Sequence, residues 1–155
     1  MKIDILCAGH RLAKEEEAWV GRYLKRLTPY SSVSILRVRE AEGPTPHARA
    51  EATWKEFQRK TPKSSRTFLL DPRGKNLSTE DFARLIADSI ERSAKKRLVF
   101  YIGGSYGLDP QAQNEVDQMI SLSPLTLPHR IALLILVEQL YRVFSWRNGA
   151  PYHHS

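Results

Sequence analysis

The sequence predicts an α/β protein built on a mostly parallel sheet with helices on both faces. Apolar runs typical of strands alternate along the chain with longer segments whose apolar residues recur at helical spacing. Residues 98–102 carry no charge and suit a central parallel strand that is buried on both faces. Because the chain shows no internal repeat and no linker, we expect one domain over residues 1–155.

The first half of the chain alternates strands with helices. Apolar runs predict three strands, at residues 3–8, 33–38 and 67–71. Apolar residues three to four positions apart predict helices over Lys14–Leu27 and over residues 47–60. The loop at residues 40–47 is rich in Gly and Pro and follows the second strand, which is where α/β proteins place binding loops.

The second half continues the alternation. A turn is predicted at residues 72–75, followed by a helix that ends in the basic residues 95–97, which suit the C-terminal end of the helix dipole. Asp109 and Pro110 are typical of the first positions of a further helix. Its apolar face would consist of Ala112, Val116, Met119 and Ile120. A short strand is predicted near residues 120–123.

The last predicted helix, over residues 129–146, is apolar on every side between residues 131 and 137. A helix of a small domain can bury only one stripe against its own sheet. Apolar residues on all faces therefore predict a second partner, most simply another copy of the chain around a two-fold axis.

The net charge of +7 is concentrated in the first half of the chain. Residues 1–66 hold 14 Lys and Arg against 8 Asp and Glu, whereas residues 67–155 hold 10 against 9. The densest basic patch consists of Arg59, Lys60, Lys63 and Arg66. This asymmetry favours contact with a nucleic acid, although a solvated basic face has the same pattern.

Several classes of protein are disfavoured by composition. The single cysteine, Cys7, cannot form an internal disulfide, and its strand-like surroundings indicate a buried apolar role. No Cys and His cluster has metal-ligand spacing, so no metal is expected. The longest apolar run, residues 131–137, is far shorter than the ~20 residues that span a bilayer. The start of the chain does not resemble a signal peptide, so a soluble cytoplasmic protein is expected.

Two loops, one after the strand at residues 98–102 and one at residues 122–130, are predicted to enclose one pocket. The glycines of the first loop lack the spacing of a dinucleotide fingerprint, and no Walker lysine is present, so a pyrophosphate site is disfavoured. The second loop combines Leu122, Leu125 and Leu127 with backbone amides and hydroxyl groups. That mixture suits a flat heteroaromatic group such as adenine.

The end of the chain carries a second set of candidate residues. Tyr152 is suited to stacking on an unpaired base, and His153 to exchanging a proton with a base edge. Glu138 and Arg142 stand four positions apart on the last helix. The spacing is equally consistent with a structural ion pair and with a pair of site residues.

Five motifs, in order and at matching spacing, resemble the RlmH family of small SPOUT-class methyltransferases, which act on a pseudouridine of large-subunit ribosomal RNA. The motifs are residues 102–104, residues 107–108, residues 122–123 with 125–129, residues 138–142 and residues 151–153. The resemblance spans essentially the whole chain. It implies an α/β fold with a trefoil knot at the C-terminal end, made by the two loops described above, although threaded chains are rare in general.

The resemblance also implies a cofactor, an assembly and a reaction. S-adenosylmethionine would be held by Leu70, Gly103, Gly104, Leu122, Ser123, Pro124, Leu125, Thr126 and Leu127. The chain would form an obligate homodimer through its last helix, with each site completed by the partner's C-terminal tail. The reaction would be methylation of N3 of a pseudouridine in a hairpin loop of 23S rRNA on the assembled ribosome.

For that reaction the resemblance implies three catalytic residues. Arg142 would stabilise the anionic ring, His153 would accept the N3 proton or orient the base, and Tyr152 would position it. Residues 105–106 and 154–155 depart from the family pattern and receive no role. Two alternatives stay open, a non-catalytic RNA-binding or ribosome-binding module and a SPOUT methyltransferase that acts on another RNA such as tRNA.

Overall fold

The computed structural model describes residues 1–9, 11–91, 97–105 and 107–154. The strands are β1 Lys2–Ala8, β2 Ser32–Val38, β3 Arg66–Asn76, β4 Arg97–Ile102 and β5 Gln118–Ser121. The helices are α1 Lys14–Leu27, α2 Pro46–Lys60, α3 Thr79–Glu91, α4 Ala112–Glu115 and α5 His129–Arg147, followed by a 3-10 turn over Pro151–His154. The strands form one sheet in the order β2-β1-β4-β3-β5, and every strand pairing is parallel.

Both faces of the sheet are covered, which confirms the predicted fold class. Alternate side chains of β4 enter two separate hydrophobic clusters, Phe100 on one face and Val99 on the other, and both are fully buried. The larger cluster packs the sheet against α1, α3 and α5. The smaller one packs it against α2 and α4. The central position of β4 explains why its sequence carries no charge.

Local chemistry accounts for the starts of the first two helices. In α1 the Glu16 side chain accepts from the backbone N–H of Ala13 at 2.8 Å. In α2 the Thr45 hydroxyl accepts from the Ala48 backbone N–H at 3.1 Å, and Pro46 occupies the first turn. These contacts satisfy N–H groups that have no partner within a helix. The predicted bounds of α1 are confirmed, and those of α2 differ by one residue.

The helix predicted to start at Asp109 and Pro110 is wrong in its extent. The helix α4 is one turn long, and Asp109 accepts from the Gln111 backbone N–H at 3.0 Å within a turn that precedes it. The chain becomes extended at Val116. The Asp117 carboxylate then accepts from the Thr67 backbone N–H at 2.8 Å, which joins this segment to β3. Met119 and Ile120 therefore belong to β5.

The prediction of a turn at residues 72–75 is also wrong. These residues lie within β3, at a point where its pairing with β5 is irregular. The register of β3 against β5 shifts between Leu70 and Lys75. A Cβ added to Gly74 would stand 2.6 Å from the carbonyl carbon of Ile120. Only glycine allows the two backbones to approach this closely.

The third helix begins at Thr79, and the Ser78 hydroxyl before it accepts from the Asp81 backbone N–H at 3.1 Å. The predicted basic end of this helix at Lys95 and Lys96 lies outside the described residues, and Arg97 begins β4. Within the described ranges, no helix is both long and apolar enough to cross a membrane.

Candidate functional site

An open pocket lies at the C-terminal ends of β4 and β5 and beside residues 69–72 in the middle of β3. It encloses about 670 Å³ of empty space, including its open mouth. Most of the lining is apolar: Leu69, Leu70, Pro72, Ile102, Leu108, Leu122, Leu125, Leu127 and Ala132. The remaining lining residues are Asp71, Gly103, Gly107, Ser121, Ser123 and His129. The two loops predicted to enclose one pocket therefore do so.

The residues implied to hold a cofactor divide into two groups. Those that line the pocket are Leu70, Gly103, Leu122, Ser123, Leu125 and Leu127. Pro124 and Thr126 alternate with lining residues and are exposed. Gly104 faces another neighbour, because a Cβ at this position would overlap the Glu40 carboxylate.

The Gly-rich loop is shaped by a tight turn. The backbone N–H of Gly107 donates to the Gly104 carbonyl at 3.0 Å, and Gly107 has a φ of 69°. A positive φ of this size favours glycine. Tyr106, between them, lies outside the described residues.

Serine hydroxyls shape the second loop. Ser121 donates to the Ser123 carbonyl at 2.7 Å, and the Ser123 hydroxyl accepts from the Leu125 backbone N–H at 2.9 Å. Ser123 thus holds the loop conformation in addition to lining the pocket. The Leu125 side chain is 72% exposed at the mouth. An apolar side chain placed there can cover one face of a bound ligand.

Asp71 is a pocket residue that sequence reasoning missed. It accepts from Arg73 three times, from the backbone N–H at 2.8 Å, from Nε at 2.9 Å and from Nη2 at 2.9 Å. The Arg73 side chain holds the pKa of this carboxyl below its ordinary value, so Asp71 is ionised at neutral pH. The signal in the sequence was an acid directly after an apolar strand.

His129 is the second missed residue. It begins α5 and packs against Gly9, at the end of β1, where a Cβ would stand 3.1 Å from Nε2 of the imidazole. Gly9 also has a φ of 115°. The glycine that follows the first strand was the available signal, because it permits this close approach.

The candidate residues Arg142 and Tyr152 come together around Glu138. The Arg142 guanidinium pairs with Glu138 at 2.7 Å, and both side chains are 18% exposed. The Tyr152 hydroxyl donates to the same Glu138 oxygen at 3.3 Å. The Arg142 guanidinium carbon lies 5.0 Å from the centroid of the Tyr152 ring. Glu138 and Arg142 therefore form a structural ion pair, and both residues of this pair also contact and support Tyr152.

Tyr152 is held in its neutral form. Burial, a hydrogen bond with the Tyr23 hydroxyl at 3.3 Å and the nearby Glu138 carboxylate all raise the pKa of Tyr152. Each of these disfavours a negative charge on the phenol oxygen. His153 lies in the Pro151–His154 turn, and its side chain is outside the described part of the chain.

Glu138, Arg142 and Tyr152 form a group that we call the Arg142 cluster. This cluster and the pocket lie at different places along α5. Ala132 lines the pocket, and Arg142 follows ten residues later, a separation of about 15 Å along the axis at ~1.5 Å per residue. An apolar groove of Trp19, Tyr23, Leu134 and Ile135 with Glu138 lies between α1 and α5. Trp19 is 49% exposed in this groove.

The predicted basic patch is far from the pocket. Arg59 and Lys60 end α2 and pair with Glu56 at 2.7 and 3.5 Å, and Arg66 begins β3 at the opposite end from the pocket. Part of the predicted charge is therefore neutralised locally. Among the described residues no group of three or more His, Cys, Asp or Glu side chains could hold a metal ion.

The chain is similar to known proteins over essentially its whole length. The family described as "Predicted SPOUT methyltransferase" matches residues 1–153. The protein named ribosomal RNA large subunit methyltransferase H from Desulforamulus reducens is 42% identical, with 99% of each chain covered. Proteins of the same name from Carboxydothermus hydrogenoformans and Geobacter metallireducens are 36% and 35% identical, each with 99% or more of both chains covered. The chain belongs to the RlmH family of SPOUT-class methyltransferases.

Proposed function

We propose that this chain is an rRNA methyltransferase that uses S-adenosylmethionine to methylate N3 of a pseudouridine in a hairpin loop of 23S rRNA on the assembled ribosome. Full-length similarity to proteins named as large-subunit rRNA methyltransferases supports the class of reaction. The observation that carries the proposal is the apolar pocket at the C-terminal edge of the sheet, joined by α5 to a cluster of Arg142 and Tyr152. Action on ribosomes would place the enzyme in the cytoplasm.

The lining of the pocket fits S-adenosylmethionine. Leucine side chains from both loops form walls suited to the faces of an adenine ring. The ionised Asp71 carboxylate suits a cofactor that carries a positive sulfonium and an ammonium group. When bound, the cofactor supplies an electrophilic methyl group.

A second copy of the chain would bring the two parts of the site together. Reacting atoms must approach within about 3–3.5 Å, whereas Arg142 lies about 15 Å along α5 from the residue of the same chain that lines the pocket. We propose a homodimer in which the C-terminal segment of one copy completes the pocket of the other. The apolar groove between α1 and α5 supports this contact, because exposed Trp19 and partly buried Leu134 would be covered.

The family fold implies that the chain is knotted at this end. The loops that follow β4 and β5 would form the trefoil knot, and both contribute to the lining of the pocket. Such a knot would hold the glycine-rich loop after β4 and the proline-containing loop after β5 in one conformation around the cofactor.

The residues near Tyr152 have the chemistry needed on the RNA side. N3 of the target base must lose its proton before it becomes nucleophilic. We propose that His153 accepts this proton. Arg142 would stabilise the resulting negative charge on the ring, with Glu138 keeping its guanidinium in one orientation. Tyr152, neutral and partly buried, would position the base by stacking.

A transfer assay with tritiated S-adenosylmethionine tests the proposal on intact ribosomes, free 50S subunits and bulk tRNA. We expect label in 23S rRNA of intact ribosomes, at a nucleotide that mass spectrometry identifies as N3-methylated pseudouridine. Label confined to tRNA would instead show a SPOUT enzyme of another RNA. A chain that produces no heat with S-adenosylmethionine in calorimetry would be a non-catalytic RNA-binding module.

A further inference from the structure

Arg26, in the last turn of α1, lies against the aromatic rings around Tyr152. Its guanidinium carbon is 5.6 Å from the Tyr141 ring centroid, 5.9 Å from that of Tyr23 and 6.0 Å from that of Tyr152. Arg26 is exposed, and it makes no ion pair with any residue in the described ranges. A guanidinium beside aromatic rings keeps its N–H donors available at its edges.

Among the residues that the structure describes, the charge of this cluster is not balanced. Glu138 already accepts from Arg142, from Gln139 at 2.6 Å and from Tyr152. Arg142 is mostly buried and paired with Glu138, so it cannot extend outward without breaking that pair. Arg26 therefore adds one positive charge, at the exposed side of the cluster, that no carboxylate of the described residues compensates. Such a charge favours an anionic partner.

We propose that Arg26 binds a backbone phosphate of the RNA strand next to the target nucleotide. The proposal rests on the proposed function, in which the base of that nucleotide stacks near Tyr152. A base on an aromatic surface places its own backbone within reach of neighbouring side chains. The planar fork of an arginine matches two phosphate oxygens, which a lysine cannot do. Arg142 would then act on the ring and Arg26 on the backbone.

Three variants test whether Arg26 acts on the RNA backbone while Arg142 acts on the ring. Arg26→Gln removes the charge and the fork, and Arg26→Lys keeps only the charge. Lys25→Gln is the matched control, because Lys25 is an exposed neighbour in the same turn and its replacement changes net charge equally. Methylation of ribosomes is measured against ribosome concentration at several salt concentrations, and circular dichroism confirms that each variant is folded.

We expect Arg26→Gln to raise the KM for ribosomes by about ten-fold, while kcat stays within two-fold of the wild-type value. The slope of log(1/KM) against log salt should become shallower by about 0.7–1. Arg26→Lys should keep the slope and raise KM by less, and Lys25→Gln should change neither quantity.

An unchanged KM and slope in Arg26→Gln would overturn the inference, as would an equal change in Lys25→Gln. If Arg26→Gln does not fold, an unchanged KM in Arg26→Lys would overturn the proposed role of the fork. Failure of the proposed function has a separate signature, since the unchanged protein would then transfer no methyl group to ribosomes.

Discussion

The Arg142 guanidinium is held by Glu138, one helical turn earlier on α5, through bonds of 3.1 Å from Nε and 2.7 Å from Nη2 to the same carboxylate oxygen. That oxygen also accepts from the Tyr152 hydroxyl. A single carboxylate thus orients the two described side chains that we assign to the substrate.

Removal of this carboxylate should slow the reaction without affecting the pocket. We expect Glu138→Gln to lower kcat by about 10–100-fold, because Arg142 loses the charged partner that orients it. Arg142→Ala should lower kcat by at least as much. Steady-state methylation of ribosomes measures both effects. S-adenosylmethionine affinity by calorimetry is the control, since neither residue lines the pocket of its own chain; a ten-fold loss of that affinity would contradict the assignment.

Tyr152 should act through its ring and not through its ionised form. Its pKa is raised, so the hydroxyl stays protonated at every pH below its ordinary value of about 10. We expect Tyr152→Phe to keep at least about half of the turnover and Tyr152→Ala to lose more than about ten-fold. The pH profile of kcat for Tyr152→Phe should match that of the unchanged protein between pH 6 and 9. A basic limb that disappears in Tyr152→Phe would show that the hydroxyl titrates during turnover.

Asp71 should select a cationic cofactor. Its lowered pKa keeps the carboxylate ionised as pH falls towards the ordinary Asp range near 4, so its contribution to binding should be constant between pH 5 and 8. We expect Asp71→Asn to weaken S-adenosylmethionine by about 5–10-fold and the product, whose sulfur is neutral, by less. Calorimetry with both ligands measures the difference.

Arg73→Gln is the matched control for Asp71, because it removes the paired guanidinium and leaves the carboxylate in the pocket. Affinity for S-adenosylmethionine should be unchanged or higher in this variant. Equal losses in Asp71→Asn and Arg73→Gln would indicate that the pair only maintains the shape of β3.

Gly74 should be required for stability. A Cβ at this position would stand 2.6 to 2.8 Å from backbone atoms of Ile120, so β3 and β5 would have to separate. We expect Gly74→Ala to lower the free energy of unfolding by about 2–4 kcal/mol, measured by urea denaturation. Gly21→Ala is the control: beyond its chain neighbours and the backbone of α1, no atom of the described residues lies within 4 Å of a Cβ added there, and the change should stabilise the protein by about 0.5–1 kcal/mol. Equal effects of the two changes would show that the β3–β5 contact is adaptable.

The sequence predicted those elements whose signals are local. The spacing of apolar residues in α1 and the uncharged run of β4 were sufficient to place both. The extent of α4 and β5 was not predictable locally, because it depends on the hydrogen bond from the Thr67 backbone to Asp117, 50 positions away in the chain. The irregularity of β3 likewise depends on its contact with Ile120, although Pro72 and Gly74 are typical of a turn.

The site was predictable to a similar degree. Both loops of the pocket follow strands and could be located from their glycines and leucines, and Leu122 and Leu127 do line it. Asp71 could not be identified as a pocket residue from the sequence, because there it is only the last residue of the strand predicted at residues 67–71. The separation of the pocket from Arg142 could not be predicted, because it depends on Ala132 lining the pocket, a contact made only in the folded chain.

The central claim is that each active site combines the pocket of one copy with the Arg142 cluster of the other. Two variants, Leu127→Arg in the pocket and Arg142→Ala in the cluster, are co-expressed with different tags, and the mixed dimer is purified through both tags. Each variant alone should be inactive on ribosomes. The mixed dimer contains one pocket and one cluster that are both intact but on different chains, so we predict about half the turnover of the unchanged dimer. A mixed dimer as inactive as its two parents would contradict the shared site.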